Sequence, residues 1–71
     1  MEKYQIIIGS PVNYDKLVAY IVINDKHIAL INQEEGKDKL IIEFFDEPKV
    51  KGIYFDILIE ALHKAKEELL K

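Results

Sequence analysis

Two apolar runs separated by three polar residues decide most of what this chain can become. Residues 17–23 are apolar throughout, Asn24-Asp25-Lys26 interrupts them, and residues 27–33 resume with Ile28, Ala29, Leu30 and Ile31. Short apolar runs rich in β-branched residues and bounded by turn formers read as strands, and so few residues between them leave room only for a hairpin. Asparagine and aspartate tolerate the positive φ angles of a primed turn, so either Asn24-Asp25 or Asp25-Lys26 can close it.

The flanking sequence extends this hairpin into a sheet. Residues 4–8 are a β-branched run that stops at Gly9-Ser10-Pro11, where the proline cannot donate to a ladder. Residues 12–16 read as an irregular connection. The polar stretch 33–39, hinged at Gly36, leads to a further strand at 40–45, which Asp46-Glu47-Pro48-Lys49 closes. From about Tyr54 the spacing becomes helical: Phe55, Leu58, Ile59, Leu62, Ala65 and Leu69 recur at threes and fours, which predicts a helix of about 16 residues. Asp56 near its start and Lys71 at its end complement the helix dipole, and Glu60 with Lys64 and Glu67 with Lys71 are acid-first pairs one turn apart. The expected fold is a single α+β domain over residues 1–71: a three- to four-stranded antiparallel meander with one C-terminal α-helix packed on one face.

Face parity gives the sharpest expectation. Across a two-residue turn, odd residues of the first strand lie opposite even residues of the second. One face then carries Leu17, Ala19, Ile21, Ile23, Ile28 and Leu30 with Leu40, Ile42 and Phe44, and the helix should dock there. The other carries Val18, Tyr20, Val22, Ala29 and Ile31 with Ile41 and Phe45, where a solvated sheet would alternate apolar with polar. One helix cannot cover both faces, so this second face is expected to be bare and to bind another protein or a second copy of the chain.

Composition narrows the function. A chain of 71 residues holds one core and buries only ~60% of its unfolded surface, which favours a staple or self-association. The absence of cysteine excludes disulfides and zinc–thiolate centres, and nothing indicates an oxidising compartment. Residues 1–8 lack a signal-peptide core, and no run of ~18 apolar residues marks a membrane span, so a cytoplasmic protein is expected. The net charge is −3 and lysine supplies every basic side chain apart from the two histidines. Without arginine or a positive stripe, nucleic-acid binding is disfavoured.

The candidate chemistry is sparse. Strand parity puts His27 on the second face, where a neighbouring Glu43 would pair with it, and a histidine next to a carboxylate can act as a base or hold a metal. A nucleophile or third ligand for that pair is not evident, so a small metal-binding or hydrolytic protein using His27 and Glu43 stands only as an alternative. Ser10 lacks a nucleophile elbow and Gly36 lacks a phosphate loop. No catalytic residue, metal or cofactor is expected. The acids Glu34, Glu35, Asp38, Glu43, Asp46 and Glu47 outnumber the lysines around the last hairpin, either as a solvated edge or as a rim that steers a basic protein surface such as the groove of a nuclease.

The words Gly9-Ser10-Pro11-Val12-x-Tyr14, Leu17-Val18-x-Tyr20-Ile21, Ile28-Ala29-Leu30-Ile31-x-Gln33-Glu34-Glu35-Gly36 and Leu40-Ile41-Ile42-Glu43-Phe44, with Ala61 and Ala65 in the helix, span most of the chain. Together they resemble very small bacterial immunity proteins found beside polymorphic or contact-dependent toxins. The resemblance implies a bacterial cytosolic inhibitor that binds a cognate toxin domain without catalysis. The expected contact residues are Tyr20, His27, Ile31 and Phe45 on the second face, or Glu34, Glu35, Asp38 and Glu43 at the rim. The alternative partner is the chain itself, as a homodimer joined through the second face or by addition of the first strand to a neighbour's sheet.

Overall fold

The computed structural model describes residues 3–47 and 50–71. They form one antiparallel sheet in the order β1-β2-β3-β4, with β1 at Tyr4–Gly9, β2 at Val18–Ile23, β3 at Lys26–Asn32 and β4 at Ile41–Phe44. Helix α1, Phe55–Leu69, follows. This is the α+β meander expected from the sequence. Pro48 and Lys49, expected to help close the last strand, lie outside the described residues, as does Met1.

The central turn is Asn24-Asp25, with φ of 52° and 65°. Two consecutive positive values define the primed turn whose twist matches that of the flanking strands. It sets Ile23 opposite Lys26 and Val22 opposite His27, as turn parity requires. The register then shifts: Ile21 faces Ala29, Tyr20 faces Leu30 and Ala19 faces Ile31. Ile28 is the extra residue of a β-bulge, and one inserted residue sends everything beyond it to the opposite face. The face assignment for the far half of β3 is therefore corrected. Ala29 and Ile31 point to the helix side and Leu30 to the other, while Ile28 and Ala29 both enter the core.

The helix sits over β1 and β2 rather than over the middle of the sheet. It buries Ala61, Ala65 and Leu69 against Ala19, Ile21 and Ile23. The small side chains at positions 61 and 65, one turn apart, let the helix backbone approach the equally small Ala19 closely, so that is where it settles. Phe55 and Ile59, expected in the buried stripe, are instead 74% and 36% exposed. The buried line runs one position round the helix, through Leu58, Ala61, Ala65 and Leu69. The ion pairs also differ from expectation: Lys64 and Lys71 both reach Glu68, at 3.4 and 3.0 Å. Glu68 stands three or four residues from each, on a face where both lysines converge. Their hydrogen bonds hold its carboxyl below the ordinary range.

Candidate functional site

The sheet face away from the helix is not the bare one. Val18, Val22 and Leu30 point there and are almost fully buried. Residues 10–17 leave β1 and are tied across part of this face instead of turning directly into β2, while Ile7 and Ile41 on it stay exposed. The Tyr14 hydroxyl donates to Glu43 Oε2 at 2.8 Å, and Asn32 Nδ2 donates to the same oxygen at 2.6 Å. The carboxylate of Glu34 accepts the backbone N–H groups of Asp15 and Lys16, both at 3.0 Å. Gln33 Nε2 donates to the Leu17 carbonyl at 3.1 Å. Asn32, a buried polar residue, has both ends satisfied, since its Oδ1 accepts the Glu34 N–H. The bond to Glu43, followed by burial, raises the Tyr14 hydroxyl above its ordinary pKa of 10.0.

Tyr14 is the functional element that the face arithmetic misses. A connection between adjacent antiparallel strands usually needs only about two to five residues. The longer stretch here, with an aromatic at its centre, is the signal that a segment has a face to cover.

The open apolar surface lies on the helix side instead. Because α1 covers β1 and β2, the matching face of β3 and β4 is left as a groove of about 430 Å³, bordered by Ile31, Leu40 and Ile42 from the sheet and Leu62, His63 and Lys66 from the helix, with Lys37 and Asp38 at one end. Phe55 and Ile59 precede Leu62 by seven and three residues, so they continue the same helix flank. At that end Phe44 is 63% exposed and borders a smaller hollow with Ile28, Phe45, Val50 and Ile53. A half-covered sheet flanked by exposed aromatic and aliphatic side chains is an apolar surface that water solvates poorly.

The expected contact residues do not gather in one place. Tyr20 and His27 lie on the second face, in edge-to-face contact with ring centroids 5.9 Å apart, and Tyr20 also lies over Gly9, where an added Cβ would meet its ring at 2.9 Å. Glu34 and Glu43 are occupied by the crossing segment. Glu35 is exposed, Asp38 is exposed at the groove's end, and Phe45 is exposed just beyond β4, its N–H bonded to the Ile28 carbonyl at 2.9 Å. Ile31, expected on the second face, is 3% exposed in the core, where its edge floors the groove; the bulge at Ile28 is the reason. His27 packs on Tyr20, while Glu43 serves Tyr14 and Asn32.

Among the described residues no group of three or more His, Asp or Glu side chains is placed to hold a metal ion. No described helix is long and apolar enough to cross a membrane. Comparison of the chain with protein-family models, curated proteins and solved structures finds no match.

Proposed function

We infer that this chain is a non-catalytic protein-binding module, an immunity-type protein that binds a cognate bacterial toxin domain and blocks it. The observation that carries the reading is the groove between α1 and β4: a sheet face left half covered, with Phe44, Phe55 and Ile59 exposed beside it. An apolar segment of the partner fills the uncovered half of the face. Asp38 at the groove's end and the nearby Glu35 meet the basic residues that a nuclease-like domain uses to hold its substrate. The aromatic side chains act as anchors because they bury large area with little loss of rotamer freedom.

The test is coexpression with the toxin domain encoded beside this chain's gene, with growth and copurification as readouts. The wild-type chain restores growth and copurifies with the toxin domain. Ile59→Lys, which puts a charge on the helix flank beside the groove without touching the core, abolishes both, and Glu35→Lys with Asp38→Lys weakens binding. Full protection by Ile59→Lys, or no protection by the wild type, rejects the reading.

A further inference from the structure

We propose that two copies of this chain join edge to edge through β4, making one continuous sheet with four strands from each copy. β4 is one of the two terminal strands of the sheet, β1 being the other. Its inner and outer groups are fixed by the ladder. Phe45 N–H bonds to the Ile28 carbonyl, and in the same register Glu43 faces Leu30 and Ile41 faces Asn32. In an antiparallel pair the hydrogen-bonded positions alternate. Ile41, Glu43 and Phe45 therefore direct their backbone groups to β3, and Leu40, Ile42 and Phe44 direct theirs outward. Among the described residues no segment hydrogen-bonds to that outer edge.

Edge strands are normally guarded by lysine, proline or a bulge. Ile41-Ile42-Glu43-Phe44 carries none of these, its one charge is engaged by Tyr14 and Asn32, and its length of four residues is the one guard it has. The edge is also complementary to itself. Two copies related by a twofold axis pair antiparallel, with residues of the same face opposite one another, so the axis must pass through a residue. Centring on Glu43 sets two carboxylates directly opposite, which is repulsive. Centring on Ile41 leaves Phe44 beyond the partner strand. Centring on Ile42 pairs Ile42 with its copy and Leu40 with Phe44 through the outward-directed groups, and sets Ile41 opposite Glu43.

The same register brings opposite charges together. The turn before β4, Lys37-Asp38-Lys39, has a net charge of +1, and Asp46-Glu47 after it carries −2. In this register Lys37 of each copy faces Glu47 of the other and Lys39 flanks Asp46, at both ends of the junction, while Asp38 faces Asp46, so the attraction is carried by the two lysines. Glu34 is turned toward the backbone of residues 15 and 16, which leaves Glu35, exposed on the far side of Gly36, as the acid of this loop that the two lysines must outweigh. The occupant of the edge is therefore a second copy, matched in register and in charge. Both helices then lie on one side of the joined sheet, and the two grooves become one trough. This holds whether or not the groove binds a toxin domain.

Light scattering and sedimentation of the full chain test it. The wild type is a dimer that loosens in ~0.5 M salt, where exposed charges are screened. Ile42→Pro removes the central N–H donor from both copies without touching the β3 ladder, and gives a monomer with an unchanged circular-dichroism spectrum. The double variants Lys37→Glu/Lys39→Glu and Asp46→Lys/Glu47→Lys each weaken self-association by roughly tenfold or more, because each meets like charge at both ends. Mixed together, they restore a heterodimer in which both ends are again opposite in sign. A wild type that stays monomeric at high concentration, a dimer that survives Ile42→Pro, or variants that fail to associate on mixing overturns the proposal.

Discussion

The helix side of this sheet is two surfaces under one roofline. Over β2, Ala61 and Ala65 bring the helix down onto Ala19 and Ile21 and bury both fully. Over β4 the same side is open, with Ile42 and Phe44 exposed, although Ala29 and Ile31 of the neighbouring β3 stay in the core. The residue types are alike in both halves. What differs is the distance to the helix, and that distance is set by two alanines. An apolar side chain is therefore a core residue in one half and an exposed one in the other.

The contrast is broken or sharpened first by truncation. Ile21→Ala, in the closed half and fully buried, should lower unfolding stability by ~2–5 kcal/mol, since the cavity cannot collapse against a rigid helix and sheet. Phe44→Ser in the open half should change it by no more than ~0.5 kcal/mol. Urea unfolding measures both, and equal losses would show that the open half is as much core as the closed one.

A smaller effect is expected on the opposite face, where the crossing segment is held by polar contacts. Asn32→Ala removes a donor to the Glu43 carboxylate and an acceptor for the Glu34 N–H, and should destabilise the fold by ~1–3 kcal/mol. Hydrogen exchange should show the amides of residues 15 and 16 losing protection before those of β2.

Tyr14→Phe should cost less than Asn32→Ala and should change the pH dependence. The folded-state pKa of Tyr14 is raised above 10.0 by its bond to Glu43. Its contribution is therefore fully present below pH 10 and is lost as pH rises through the folded-state value. Tyr4, raised by burial and then by Glu60, shifts stability in the same direction, so only the difference between wild type and Tyr14→Phe isolates the crossing segment. A wild type and variant with parallel alkaline profiles would mean that the Tyr14–Glu43 bond does not hold the segment down.

The smallest effect is expected at Glu68. Its carboxyl lies below the ordinary range because Lys71 and then Lys64 hydrogen-bond to it, so its contribution is present above the unfolded pKa and disappears as pH falls through the folded one. Glu68→Gln should flatten that part of the acid limb and shift the melting temperature only slightly, because exposed ion pairs are weak.

Much of this molecule was legible in the sequence by itself. The apolar runs and Asn24-Asp25 specify the central hairpin, Gly9-Ser10-Pro11 ends β1, and the threes and fours after Tyr54 specify α1, because each of these signals acts through backbone preferences and periodicity within a few residues. Three decisions belonged to the tertiary structure. The bulge at Ile28 moves Ile31 from the second face into the core, Tyr14 reaches across the sheet to Glu43, and the helix docks to one side and leaves Phe55 and Ile59 exposed. Each depends on how distant segments meet, where one inserted residue inverts a face and two small side chains choose the docking site. No local pattern encodes that, because the energies are decided only when the surfaces are in contact.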